Sequence, residues 1–193
     1  MKLGKAYTLG YRRKRENKTD YRARIKLLSS GKSRVVIRKM LNNYIVQIID
    51  YYPEGDKILI SSSTRELLKY GWKAHRGNLS AAYLVGFLCG KKAKKKGIKS
   101  GILDLGFHRI VKGSSIFAVV KGLKEAGFEI PANEKVLPDN NRISGKHIEN
   151  YAKNFKDKNL YNRQFSNYIK LGVKPEEISK HFEEAKKKIT EKW

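Results

Sequence analysis

Residues 78–96 have the sequence NLSAAYLVGFLCGKKAKKK, and this stretch decides the fold. Between residues 79 and 89 only Ser80 is plainly polar, so a helix here is apolar on all sides and belongs inside a protein. Ala81, Ala82 and Gly86 are small, which lets a neighbouring sheet approach closely. The stretch then becomes basic, which suits the negative C-terminal end of a helix dipole. We therefore predict a core helix that carries lysines to the surface: Lys91, Lys92, Lys94, Lys95 and Lys96.

Charge dominates the composition. The 193 residues include 43 Lys and Arg against 18 Asp and Glu, a net charge of +25. Such an excess favours a polyanion as partner, with nucleic acid first and an acidic membrane surface second. The only cysteine, Cys89, cannot form an intrachain disulfide, which fits a reducing compartment. The N-terminus is no secretory signal, and the apolar run is about half of the ~20 residues that span a bilayer, so we expect a soluble, intracellular protein with no membrane partner.

Residues 1–33 form a predicted basic RNA-binding arm. Through Lys39 the chain has fourteen Lys and Arg residues and only two acidic ones. Cations interleaved with tyrosines suit a segment that follows phosphates and stacks on bases, although a solvated tail is the alternative. The candidate RNA-contacting residues here are Tyr11, Arg12, Arg13, Lys14, Arg15, Lys18, Tyr21, Arg22 and Arg24.

Residues 34–131 form a predicted α/β core domain. Three β-rich segments, residues 34–39, 44–50 and 57–63, are joined by turn sequences and so form an antiparallel meander. After them come the core helix, a short strand at residues 102–105 and a helix ending near residue 125. The prediction is a mixed sheet of three antiparallel strands, then helix, strand and helix.

Two further groups of cations are candidate RNA contacts. The first hairpin projects Arg34, Arg38 and Lys39 beside the arm, unless these charges only protect an edge strand. At the end of the core helix, a second phosphate backbone could meet Lys91, Lys92, Lys94 and Lys95, with a solvated cluster as the alternative.

Residues 132–193 form a predicted helical C-terminal extension. Ser144 is placed as the cap of a helix to about residue 155, a second helix covers residues 163–171, and Pro175 opens the last one. The last helix has one narrow apolar stripe, which suits docking on a partner or on the core domain. The stripe consists of Ile178, Phe182, Ala185 and Ile189.

The sequence gives little support for a cofactor site or a metal site. Gly31, Lys32 and Ser33 resemble the end of a P-loop, but the required earlier glycine is replaced by Lys26. A zinc site lacks ligands, because Cys89 stands alone and the four histidines are far apart in the sequence. We predict no cofactor, no metal and no catalytic residue.

One enzymatic hypothesis is a metal-dependent nuclease. Asp50 and Asp104 lie at strand ends and Glu66 lies on a short helix, so the three carboxylates could converge on Mg²⁺. The alternative is that strand-end aspartates begin turns or bind loop backbone. No local carboxylate motif supports the nuclease.

Many short segments resemble one family in order and in register. They are YRRKRENKTDY (11–21), RVVIRK (34–39), QIID (47–50), NLSAAY (78–83), GKKA (90–93), ILDLG (102–106), KG (121–122), AG (126–127), IP (130–131) and RISGKHI (142–148). Together they resemble the archaeal form of large-subunit ribosomal protein eighteen, whose eukaryotic counterpart is large-subunit ribosomal protein five. The resemblance covers residues 5–155 and is weaker beyond them.

The resemblance implies a protein that binds 5S rRNA and helps anchor it to the 23S-type rRNA in the central protuberance of the large subunit. It also implies neighbouring ribosomal proteins as partners, a cytoplasmic location and a ribonuclease-H-like strand arrangement without catalysis. The arm would be the main RNA-binding segment. A non-specific basic nucleic-acid or membrane-surface protein stays open as an alternative. Met40 and Leu41 depart from the family pattern, and His108 receives no role.

Overall fold

The computed structural model describes residues 8–155 and 157–193, and a four-stranded mixed sheet lies at its centre. Its strands are β1 (Arg34–Lys39), β2 (Tyr44–Asp50), β3 (Lys57–Ser63) and β4 (Ile102–Asp104). They are ordered β3-β2-β1-β4, with β2 antiparallel to both β3 and β1, and β4 parallel to β1. The predicted mixed sheet is thereby confirmed.

Nine α-helices occur in the described residues, together with short 3₁₀ helices at Glu66–Tyr70, Glu134–Val136 and Pro175–Glu177. The α-helices are α1 (Arg12–Arg15), α2 (Tyr21–Leu28), α3 (Leu79–Lys95), α4 (Ser115–Glu125), α5 (Asn140–Ser144), α6 (Lys146–Lys153), α7 (Lys158–Gln164), α8 (Ser166–Lys170) and α9 (Ile178–Lys192). In this part of the chain no helix is both long and apolar enough to cross a membrane.

Helix α3 is the predicted core helix. The Asn78 side chain caps its N-terminus by accepting a hydrogen bond from the Ala81 amide at 2.8 Å. Its apolar part is buried on all sides, including Cys89, whose thiol pKa is raised by burial to about 12. At Gly86 the close neighbour is helix α4 rather than the sheet that we expected, because the backbone of Val119 lies directly against it.

The sheet has an inner and an outer face. Inner-face side chains of β1, β2 and β3 join one core with α3 and α4, among them Val35, Val46 and Ile60. Alternate residues of β1 point to the opposite side, so Arg34, Val36 and Arg38 lie on the outer face. Helix α2 contacts β4 and lies beside this outer face.

The C-terminal helices differ in detail from the prediction. Ser144 ends α5 instead of capping a helix, because Gly145 at φ +84° turns the chain before α6 begins. The single helix predicted for residues 163–171 is two short helices, α7 and α8, which break at Phe165. Asp157 caps α7 by accepting a hydrogen bond from the Asn159 amide at 2.9 Å.

Helix α9 packs on the core rather than projecting from it. Its four stripe residues are buried in the same core as α3, which decides between the two docking partners that the sequence left open. Ile178 and Ile189 are completely buried. The boundary near residue 132 stays a prediction, since the core includes residues from both sides of it.

Candidate nucleic-acid interface

A chain of ion pairs ties the arm to the sheet. The buried Arg34 guanidinium donates from Nη1 to Asp104 Oδ2 at 2.9 Å and from Nη2 to Asp56 Oδ2 at 2.8 Å. Arg24 of α2 donates to both carboxylate oxygens of Asp56, each at 2.9 Å. These four residues form what we call the Asp56 network, and Asp56 is the link through which α2 is held to the sheet.

The Asp56 carboxylate is stabilised in its charged form. Partial burial alone would raise its pKa, but hydrogen bonds from Arg24 and Arg34 outweigh burial and hold the pKa below its ordinary value. Asp56 is therefore ionised at neutral pH. Two guanidinium groups share this one carboxylate, and Arg34 also binds Asp104, so the two positive and two negative charges of the network balance.

A groove of about 370 Å³ lies between the arm and the outer face of the sheet. We call it the arm–sheet groove. Val36 and Ile49 contribute apolar surface to it, and Phe107 and His108 line it from the loop after β4. Its acidic residues are Asp20, Asp56 and Asp104, and its basic ones are Arg13, Lys18, Arg24, Arg34, Arg38 and Lys39.

The acidic residues of the groove are all engaged. Asp20 caps α2 by accepting hydrogen bonds from the amides of Arg22 and Ala23, and the other two aspartates belong to the Asp56 network. Arg38 and Lys39 are exposed at the end of β1. A polyanion in the groove would thus meet cations whose neighbouring carboxylates are already bound.

The arm is short and strongly cationic where the structure describes it. All four residues of α1 are basic, and none of them is buried. The rings of Tyr11 and Tyr21 lie 5.1 Å apart, and Tyr11 is 71% exposed. Some cations have internal partners, since Arg13 binds the Thr19 hydroxyl and Lys18 binds Glu16, each at 2.8 Å. The first seven residues of the predicted arm lie outside the described residues.

The structure brings together cations from the arm and from the first hairpin, as the sequence indicated. The prediction that Arg34 is a surface cation is wrong, because Arg34 is only 3% exposed and its side chain is held inside the Asp56 network. Arg22 and Arg24 lie on α2, with Arg24 bound to Asp56. The sequence reasoning missed Asp56 and Phe107, which it treated as turn and loop residues.

A second cationic surface lies at the end of α3. Lys91 of α3 and Lys186 of α9 both lie 5.3 Å from the centre of the Phe87 ring. Farther along, Lys95 lies 4.8 Å from the Trp193 ring, and the indole nitrogen of Trp193 donates to the Tyr70 hydroxyl at 2.9 Å. We call this surface the lysine face, formed by Lys91, Lys94, Lys95, Lys186 and Lys192.

Lys92 is less available than its neighbours. Its amine donates to Glu66 at 2.6 Å and to the Ser61 carbonyl at 3.0 Å, so it joins α3 to the edge strand β3. Lys186 is also paired, with Glu125 at 3.0 Å. Part of the positive charge in this region is therefore neutralised within the protein. Among the described residues Lys91, Lys94 and Lys95 form no ion pair, so they are the main cations available to a ligand.

The three carboxylates of the nuclease hypothesis do not converge. Asp50 lies opposite Lys57 in the strand register, at one end of the β2–β3 hairpin, and Glu66 accepts a hydrogen bond from the Ser63 amide at the other end. Asp104 is bound to Arg34. Within residues 8–155 and 157–193 no group of three metal-binding side chains is close enough to hold an ion. The structure thus contradicts this arrangement.

A mixed α/β core with two separate cationic surfaces defines a protein built to bind polyanions. Residues 5–100, which include most of the arm, the three antiparallel strands and α3, match the sequence model of a family described as ribosomal large subunit proteins 60S L5 and 50S L18. The chain belongs to this family. It is therefore an RNA-binding structural protein of the large ribosomal subunit, with a role in translation.

Proposed function

We propose that this protein binds 5S rRNA and helps attach it to the 23S-type rRNA in the central protuberance of the cytoplasmic large subunit, beside neighbouring ribosomal proteins. The observation that carries this proposal is the arm–sheet groove, where exposed cations of the arm and of β1 line one cavity. Membership in the family supports a ribosomal RNA as the polyanion.

The arm and the groove would bind 5S rRNA by two kinds of contact. Exposed cations such as Arg12 and Lys39 would bridge phosphates. Tyr11 and Tyr21 offer exposed or partly exposed rings on which unpaired bases can stack. Lys14, Arg15 and Arg22 would extend the phosphate contacts along the arm, because all three are exposed.

The lysine face would bind a second RNA segment. It lies with α3 and α9, on the side of the sheet opposite the arm–sheet groove. Because the two surfaces lie on opposite sides of the sheet, an RNA segment bound in the groove leaves the lysine face open to a different segment. The large-subunit rRNA would supply this segment, which gives the protein two RNA contacts and a means of joining them.

The strand order also supports a ribonuclease-H-like arrangement of the core, with β4 added in parallel beside β1. We propose no catalytic role for this arrangement. Asp104 is used to hold Arg34, and Glu66 is used to hold Lys92.

The proposal can be tested by binding measurements over a range of salt concentrations. We expect 5S rRNA to bind more tightly than an unrelated structured RNA of equal length and than duplex DNA, with steep salt dependence for all three. A variant with Lys91, Lys94 and Lys95 replaced by alanine should bind 5S rRNA normally but fail to recruit it to 23S-type rRNA. Equal affinity for all three nucleic acids, or preference for anionic vesicles, would favour a non-specific basic protein instead.

The Asp56 network leads to a further prediction. Removing a negative charge beside a phosphate site normally strengthens RNA binding, but Asp56→Asn should weaken 5S rRNA binding about 10-fold, because α2 loses its anchor and the arm must be ordered on binding. Filter binding or fluorescence anisotropy at fixed salt measures the change.

The neighbouring acid provides the control for this variant. Glu54→Gln removes the same charge from the same turn, and no ion pair of Glu54 is present among the described residues, so its RNA affinity should be unchanged or slightly higher. The ion pairs of Asp56 should hold α2 at neutral pH, because the pKa of Asp56 is lower in the folded protein than in the unfolded chain. Their stabilisation is fully present above the unfolded pKa of about 4, and it is lost only as pH falls through the folded pKa. If Asp56→Asn and Glu54→Gln bind alike, Asp56 does not position the arm.

A further inference from the structure

We propose that the arm–sheet groove holds one unstacked nucleotide of the bound RNA, with its base against the ring of Phe107 and its phosphate among Arg13, Arg38 and Lys39. This inference rests on the proposed function, since the nucleotide would belong to the 5S rRNA. It goes further by naming the ligand of the groove as a single splayed nucleotide rather than the regular backbone of a duplex.

The groove has the size and lining that such a ligand needs. Its volume of about 370 Å³ falls within the ~300–1,000 Å³ typical of small-molecule sites. Val36 and Ile49 of the sheet give it apolar surface, on which a base or ribose can lie. Arg38 and Lys39 stand at the same end of β1, where a phosphate joined to that base could reach them.

Phe107 is the residue that points to a base. Its side chain is 53% exposed although it is large and apolar, and it lines the groove. An exposed aromatic ring beside cations is the usual platform for an unstacked base, and such stacking tolerates any of the four bases. A duplex backbone would make no comparable use of this ring.

The position of Phe107 is fixed by the turn that holds it. The Gly106 amide donates to Asp104 Oδ1 at 3.1 Å, and the His108 amide donates to the Leu105 carbonyl at 3.1 Å. Gly106 adopts φ +54°, which glycine does without strain. Asp104 is itself held by Arg34, so the Asp56 network places the ring as well as the arm.

The Asp56 network also sets the electrostatic environment of a phosphate in the groove. Asp56 and Asp104 would repel a phosphate if they were unpaired, but Arg24 and Arg34 neutralise them. Arg13 forms no ion pair with any of the described residues, and only its Nε is used, in a hydrogen bond to the Thr19 hydroxyl. Its terminal guanidinium nitrogens therefore have no acidic partner there. The groove thus stays cationic at its rim.

The test compares three variants of the full-length protein with 5S rRNA as the probe. Phe107→Ala should lower affinity about 10-fold without changing the salt dependence, because stacking releases no counterions. Phe107→Tyr keeps the ring and should bind as the wild type does. Ile110→Ala is the matched control: Ile110 is 72% exposed in the same loop but does not line the groove, so its loss should change nothing.

The possible outcomes separate this inference from the proposed function. Wild-type affinity for Phe107→Ala, or equal losses for Phe107→Ala and Ile110→Ala, would overturn the nucleotide site while a preference for 5S rRNA remained intact. A weaker salt dependence in Phe107→Ala would also overturn it, since the ring would then be acting on phosphate contacts. Thermal unfolding should be unchanged in all three variants, because both side chains are largely exposed.

Discussion

Replacing Gly86 by alanine is expected to destabilise the protein by about 3 kcal/mol, because overpacking of a close contact between buried elements costs on this scale. The added Cβ would collide with the carbonyl of Val119 and lie 2.9 Å from the Val119 Cα. These atoms are backbone of the buried helix α4, so relief requires moving α3 and α4 apart. Urea unfolding followed by circular dichroism measures the loss.

The contact is reciprocal, which strengthens the expectation. A Cβ on Gly122 of α4 would collide with the Tyr83 carbonyl and lie 2.7 Å from the Phe87 amide nitrogen. Ser80→Ala is the matched control on α3, since Ser80 is buried and its hydroxyl has no hydrogen-bond partner in the described part of the chain. Loss of this hydroxyl should change the free energy of unfolding little. Equal stability of Gly86→Ala and Ser80→Ala would mean that the two helices do not pack this closely.

Replacing all four residues of α1 by alanine is expected to lower 5S rRNA affinity about 100-fold at moderate salt. Arg12, Arg13, Lys14 and Arg15 carry four charges in one turn, and none of them is buried in the core. Each phosphate that is no longer neutralised lowers the slope of log affinity against log salt by ~0.7–0.9, so the slope should fall by about 3. Thermal stability should stay the same.

A matched variant tests whether position matters or only net charge. The C-terminal region has four exposed cations that neither line the arm–sheet groove nor belong to the lysine face: Lys158, Arg163, Lys170 and Lys174. Replacing them with alanine removes the same charge and should change 5S rRNA affinity several-fold at most. Equal losses in the two variants would make the binding a general effect of net charge and would contradict the role given to the arm.

The parts of the fold that depend on local sequence could be predicted. The apolar run of α3 and the turns between β1, β2 and β3 carry their structural information within a few residues. The break at Gly145 could not be predicted as easily, because Ser144 is by itself a good helix cap and only the φ of Gly145 decides against it. Likewise, the apolar stripe of α9 predicted that this helix docks on another surface, but a stripe alone does not distinguish the core domain from a separate partner.

The candidate site was predictable in its charge but not in its connections. The partners in the Asp56 network are 22, 32 and 70 residues apart, and no local pattern links them. The charges at the ends of β1 predicted that Arg34 projects beside the arm, but its guanidinium is buried between the two aspartates of the network. Phe107 was the one available signal that was not used, as a large apolar residue in a loop rich in glycine and cations.

The burial of Ile178 and Ile189 in the same core as α3 has a consequence for synthesis. A growing chain emerges N-terminus first, so its most cationic segment is outside the ribosome while the residues that complete the hydrophobic core are still in the exit tunnel. Folding must then finish after translation of residue 189. Until that moment the part of the core that α9 covers stays open to solvent, beside an arm that already carries its full positive charge.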